Sequence, residues 1–312
     1  MTETTVLQTT TIETTTRSRS RRRRKVFSPL SALRLLVLFG FAIFCLIPLI
    51  WLVLAPSKTD DQLLSTPLSF GSWDRYALSW EHLIQYNGGV MFLWMLNSLI
   101  YAIVPLIITV VISLLAAYAL ATMRFRGRKT ILMATLLAIV LPAAAMVLPL
   151  FLEINALHLV NTAASIILPA SFFPFGVYLA FVYFSTSLPS ELLEAARIDG
   201  CSEFGVFRRI ALPLAKPVIA LLAFFAFVAN WNNYFLPYVM LTDDSKFNLP
   251  VGLGTLIAST PALHPSSGGS ILPITYPEAA MAGLIVVVPI VILFLFFQRF
   301  LVRGILSGST KG

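Results

Sequence analysis

Charge is scarce in this chain. Of its 312 residues only 12% are Asp, Glu, Lys or Arg, and 58% are hydrophobic. A soluble domain carries about 25% charged residues, so the composition excludes a large soluble core and places the chain in a membrane. Cysteine is limited to Cys45, inside the first apolar segment, and Cys201, in a charged loop. Their depths keep them apart, and no disulfide is expected. The three histidines, His82, His158 and His264, are scattered through loops with no metal-site spacing and no credible Ser/His/Asp set. No phosphate loop is present. Gly127-Arg-Lys-Thr130 lacks the Gly-x-x-x-x-Gly-Lys order, so no cofactor is expected here, and ATP with its magnesium belongs on another chain. No acidic residue or lysine lies near the middle of an apolar segment. Glu153 and Glu278 fall at segment ends, which argues against a proton- or sodium-coupled carrier. A fixed-period repeat is missing too.

What the chain has is long apolar runs. A bilayer core of about 30 Å takes about twenty residues of helix, and six segments reach that length: Leu35–Leu54, Phe92–Ala121, Ile131–Leu152, Ala163–Phe184, Val218–Leu241 and Ala279–Phe297. Their unbroken hydrophobicity, without alternation, predicts helices rather than a barrel. The expected fold is all-α, a polytopic membrane protein with six transmembrane helices and a helix–turn–helix loop. The expected division is a basic tail over 1–32, a first span and outer loop over 33–91, a transmembrane domain over 92–300 and a tail over 301–312. The second segment is longer than a crossing needs and either tilts or begins as a helix at the interface.

Basic residues mark the sides. Of 22 Lys and Arg, 19 lie in the N-terminal tail, the Arg124–Lys129 loop, the loop after Glu191 and the C-terminal tail. With six spans these segments share one side, which the positive-inside tendency makes cytoplasmic, together with both termini. The net charge of +8 therefore reports topology and gives no reason to expect nucleic acid, and the basic tail is either a contact for anionic membrane lipid or a topology anchor with no other role. Arg-Arg pairs before Phe27 are faintly like an export signal, but the apolar run that follows is long and five more succeed it, so the first span is read as retained.

The most informative stretch is charged. Between the fourth and fifth segments, Glu191-Leu-Leu-Glu-Ala-Ala-Arg-Ile-Asp-Gly200 runs on to Ile210-Ala-Leu-Pro213. Pro189 suits a helix start, and Glu191 and Glu194 lie near the positive end of its dipole. Leu188, Leu192 and Ala195/Ala196 are expected on one face, with the alanines letting a partner backbone come close. Asp199-Gly200 reverses the chain, Ser202 caps a second helix, and Phe204, Phe207 and Ile210 form an apolar stripe.

This stretch closely resembles the cytoplasmic coupling loop of bacterial ABC importer permeases, Glu-Ala-Ala, three residues, Gly, nine residues, Ile-x-Leu-Pro. Glu194, Ala195, Ala196, Gly200, Ile210, Leu212 and Pro213 fill that pattern, with Asp199 beside the glycine. Asn97-Ser98, Ala117-Tyr118-Ala119, Phe125-Arg-Gly-Arg128, Trp231-Asn232 and the tail Val302–Gly312 extend the likeness from Leu33 onward, towards the maltose-transporter type of sugar permease. The resemblance implies a second homologous permease, a pair of ATPase subunits docked at the loop and an extracytoplasmic solute-binding protein. It also implies that the tail Ser307–Gly312 contacts the ATPases. Cys201 stands where the family commonly has Ala, and the loop Pro261–Pro273 looks longer than in maltose-type relatives.

For a sugar path, Asn230, Trp231, Asn232 and Tyr234 form the most polar patch inside any span. Asn230 lies about 18 Å along a helix from Val218, beyond mid-membrane. Aromatic faces can stack on sugar rings while amides bond hydroxyls; packing between helices accounts for the patch equally well. Two other classes stay open at this stage, a stand-alone channel or ion-coupled carrier and a membrane-embedded enzyme. Neither explains the loop pattern.

Overall fold

The structure is a computed structural model that describes residues 29–260 and 274–307. The basic tail, the loop 261–273 and the last five residues, with the expectations attached to them, lie outside the described residues. Among the described residues there are helices and no strand, as an all-α fold requires. In chain order they are α1 (Pro29–Leu54), α2 (Asp60–Ser65), α3 (Trp73–Gln85), α4 (Val90–Thr122), α5 (Arg128–Val140), α6 (Ala143–Ala156), α7 (Ala164–Ala170), α8 (Pro174–Ser187), α9 (Ser190–Ile198), α10 (Glu203–Val206), α11 (Leu212–Leu214), α12 (Lys216–Trp231), α13 (Phe235–Met240), α14 (Leu249–Ala258) and α15 (Tyr276–Ser307). The chain divides into a unit ending at Pro48 and a larger one from Leu49. The first contributes the greater part of the apolar helix α1.

Four stretches are long and apolar enough to cross a membrane, and up to six if two sharply bent pairs, Arg128–Val140 with Ala143–Ala156 and Glu203–Leu214 with Lys216–Trp231, each count as one. The third segment expected from sequence is not one straight helix: α5 and α6 meet at 108°. Leu141 is extended (ψ 127°) before Pro142, as sterics before proline demand, and the helix ends there. The fifth segment is also broken. α12 stops at Trp231 and α13 begins at Phe235. Most of the other prolines leave their helices unbroken; Pro105, Pro149, Pro169 and Pro289 all lie inside helices.

In the larger unit α4 packs against α8 and α12. Leu114, Ala117 and Tyr118 of α4 meet Ala180 and Phe184 of α8 and Val218 and Leu222 of α12. Small residues admit this close approach, as expected between helices in lipid. A Cβ on Gly176 would lie 2.9 Å from the Phe173 ring and 3.3 Å from both Leu222 and the Ser113 hydroxyl.

The other end of α4 explains Asn97-Ser98. The Asn97 amide donates to the carbonyls of Ser245 and Phe247 at 2.9 and 3.0 Å, and the Ser98 hydroxyl accepts the Leu249 N–H at 2.7 Å. Trp94 Nε1 donates to Asp244 O at 2.7 Å, and Tyr101 Oη donates to Lys246 O at 3.1 Å. One face of α4 thus fastens the turn that leads into α14. Nearby, His82 Nδ1 lies 3.0 Å from the buried Glu278 carboxylate, whose second oxygen accepts from the Thr275 N–H and hydroxyl at the start of α15.

Candidate functional site: a self-cored hairpin and a broken span

The charged stretch folds as a helical hairpin. α9 starts after Pro189 and ends in a left-handed glycine, Gly200 at φ +79°. The Gly200 N–H bonds Arg197 O at 3.1 Å and the Cys201 N–H bonds Ala196 O at 3.0 Å. This paired Schellman arrangement satisfies carbonyls that the helix end leaves open. Ser202 Oγ accepts the Gly205 N–H at 3.2 Å and caps α10. A π-helical turn, Phe207–Ala211, joins α10 to α11, and at Ala215 the chain bends by 79° into α12. π-turns carry an irregular backbone and recur at functional sites.

The hairpin has its own small core of Leu193, Ala196 and Val206, with Leu188, Cys201 and Ile210 packed on it. This corrects the face expected for α9. Ala196 is only 7% exposed and packs with Leu193 and Val206, so its methyl belongs to the hairpin's own core. Ala195 is exposed, and with Leu192 (49%) and Ile198 (87%) it forms an outward stripe at three-residue steps. Phe204, at 65%, also faces outward, so the stripe expected through Phe204, Phe207 and Ile210 divides between surface and core. Leu212 is partly buried, and Pro213 is exposed at the start of α11. Glu194 and Arg197 line a polar cleft of about 440 Å3, shared with Arg124, Thr122 and Ser185.

A charged clasp closes the hairpin. Arg197 donates to both oxygens of Glu203, Nε to Oε1 at 2.7 Å and Nη2 to Oε2 at 3.3 Å. Tyr118 Oη donates to Oε2 at 3.3 Å. The Arg197 hydrogen bond, aided by its charge, holds the Glu203 carboxyl below its ordinary range. A depressed carboxyl pKa stabilises fully above the unfolded value, and that stabilisation is lost as pH falls through the folded one. Protonation of Glu203 in acid therefore weakens the clasp. Sequence reasoning missed it, although Arg197 and Glu203 stand six residues apart on either side of a recognisable turn.

The second candidate region lies where α12 ends. Asn232 is exposed, its amide turned back to Val228 O at 3.0 Å. Tyr234 (41% exposed) stacks on Tyr238 (56%) with ring centroids 5.5 Å apart. Asn230 is partly buried and bonds Ala102 O at 3.4 Å. Trp231 points elsewhere. It is 3% exposed, stacks on Phe227 and donates its N–H to Val286 O at 3.0 Å, which makes it a packing residue between α12 and α15. Asn233 belongs to the same polar run, and Asn248 was missed. The Asn248 amide donates to Asn233 O at 2.7 Å, in the break between α12 and α13. Asn233, Phe235 and Leu236 line a cavity of about 280 Å3 with Pro169, Ala170 and the first two turns of α6.

A multi-pass helical bundle with an ordered polar hairpin is the build of a membrane transport subunit. The sequence matches the family described as the binding-protein-dependent transport system inner membrane component over residues 109–307. This chain belongs to that family and is therefore a multi-pass inner-membrane protein. It is 34% identical over 288 residues to the arabinooligosaccharides transport system permease protein AraQ of Halalkalibacterium halodurans, covering 91% of this chain and 98% of that protein. It is 31% identical over 287 residues to the trehalose/maltose transport system permease protein MalG of Thermococcus litoralis, covering 89% and 97%. The fold matches a crystal structure of a bacterial ABC transporter involved in the import of the acidic polysaccharide alginate. The TM-score is 0.71 at 22% identity, over 86% of this chain and 95% of that one.

Proposed function

We propose that this chain is a membrane-spanning subunit of an ATP-driven, binding-protein-dependent importer for a neutral, hydroxyl-rich solute, a sugar or polyol. In this reading the bundle crosses the membrane six times, with α5–α6 and α12–α13 as broken crossings. Both termini and the hairpin face the cytoplasm. ATP and magnesium are held by a separate pair of ATPase subunits, a second permease completes the path, and a solute-binding protein delivers from outside. The observation that carries this is the hairpin, which is cored on itself and still presents Leu192, Ala195, Ile198 and Phe204 outward. A channel, an ion-coupled carrier or an embedded enzyme gives such a surface no work. The names of the relatives support a carbohydrate.

The orientation is tested by thiol labelling of intact cells in a Cys45→Ser, Cys201→Ser background. A membrane-impermeant reagent is expected to reach a cysteine at Asp61 and not one at Ser202; the opposite pattern rejects the topology.

Asn232 and Tyr234, with Tyr238 and Asn233, are the groups we assign to the solute path. An Asn232→Leu, Tyr234→Ala variant is expected to lower ATP-driven uptake of arabinotriose, trehalose or maltose, whichever the wild-type complex carries. Loss of about 1.4 kcal/mol of solute contact is a tenfold change. ATPase co-purification should be retained. Unchanged uptake and substrate range would return the patch to helix packing.

A further inference from the structure

Tyr118 joins more than its place in α4 requires. It is 3% exposed. Its ring sits 5.1 Å from Phe207, in the second arm of the hairpin, and 6.0 Å edge-on from Phe184 near the end of α8. Its hydroxyl donates to the Glu203 oxygen that also receives Arg197 Nη2. Through that one carboxylate the side chain reaches both arms, since Arg197 belongs to α9 and Glu203 to α10. Thr122 Oγ1 bonds the Tyr118 carbonyl at 2.8 Å, one turn from the end of α4. A single residue thus touches α4, α8 and both halves of the hairpin.

We propose that Tyr118 is a positioning residue that locks the hairpin to the ends of α4 and α8, so that hairpin and bundle move as one body. This rests on the reading of the hairpin as the part an ATPase pushes, and adds the residue that carries the push into the spans. The chemistry suits the task. Packed rings alone let neighbouring helices slide, because dispersion has little directionality. A buried phenol donating to a carboxylate already fixed by a forked guanidinium has a set direction and length. At 3.3 Å the bond is long for a hydroxyl on a carboxylate, so its contribution is orientation rather than strength. Packed side chains and hydrogen-bond networks with discrete arrangements are among the elements that carry coupling between distant sites.

The test uses the full chain in its complex, with Cys45 and Cys201 replaced by Ser and spin labels at Arg209→Cys on the hairpin, outside the docking stripe, and Leu115→Cys on α4. Both positions are exposed. The clasp intact, the pair should give one narrow distance distribution, the same with ADP and with ATP. Tyr118→Phe keeps the ring and removes only the hydroxyl; it should replace that distribution by a broad or two-component one. Glu203→Gln is the second variant, since it breaks the same clasp from the hairpin side. The Tyr118→Phe, Glu203→Gln double variant should be no broader than either single one. A purely structural role would lower thermal stability and leave the distance distribution narrow, and that result overturns the proposal. So does a distribution that is already broad in the unaltered clasp. The docking reading is tested separately, since it stands or falls on ATPase co-purification with hairpin variants.

Discussion

Ala195→Trp is expected to strip the ATPase subunits from the purified complex and abolish uptake while leaving the chain folded. Ala195 is exposed between Leu192 and Ile198 on the outward stripe of α9, and a methyl side chain there lets another backbone come close. An indole at a packed contact costs about 1–3 kcal/mol, roughly 5- to 140-fold in affinity at 1.4 kcal/mol per tenfold. Ala196→Trp is a different experiment. Ala196 packs on Leu193 and Val206, so the same bulk would force the two arms apart and lower the melting temperature first. Docking at this surface is therefore read from the contrast. Ala195→Trp should melt with the parent protein and elute without ATPase. If it elutes with a full complement of ATPase and transports normally, the ATPase docks elsewhere.

The second large effect is one of stability, at the end of α4 away from the hairpin. Gly252→Ala is expected to destabilise the chain strongly. A Cβ there would sit 2.2 Å from the Trp94 ring. Trp94 is 1% exposed and its indole N–H is committed to Asp244 O, so it has no free space to enter. Overpacking costs about 1–3 kcal/mol, and moving the indole would add the penalty of an orphaned buried donor, about 1–3 kcal/mol. Gly254→Ala is the control. Its Cβ would meet the Tyr234 ring at 2.9 Å, but Tyr234 is 41% exposed and can yield. Thermal unfolding in detergent should show a large loss for Gly252→Ala and a small one for Gly254→Ala. Equal melting temperatures would mean that the turn after Asp244 is not clamped by Trp94.

Local chemistry made much of the hairpin legible in the sequence. A glycine after a helix and a serine before the next carry their geometry with them, and Gly200 and Ser202 behave as those residue types dictate. The buried face of α9 was not legible. Ala195 and Ala196 are identical and adjacent, and only the arrival of Val206 through the turn decides which is covered. Trp231 shows the same limit. A tryptophan beside asparagines reads as a solute contact until α15 supplies Val286 O for its N–H. The broken spans were half legible. Several prolines lie in the apolar segments, yet a 108° bend appears only at Pro142. A proline ends a helix only where neighbours favour the released backbone, and that is a tertiary matter. Asn97-Ser98 was noticed through family likeness; its work, holding residues 245–249, is visible only when those residues come into contact.

Placing a photoreactive amino acid at Ala195 in the native membrane complex tests the central claim most directly. Irradiation should give a covalent adduct with a separate subunit that carries a phosphate loop, and a cysteine-free chain with the same probe at Asp61 should not. An adduct confined to lipid or to other parts of this chain, with transport intact before irradiation, would contradict the account.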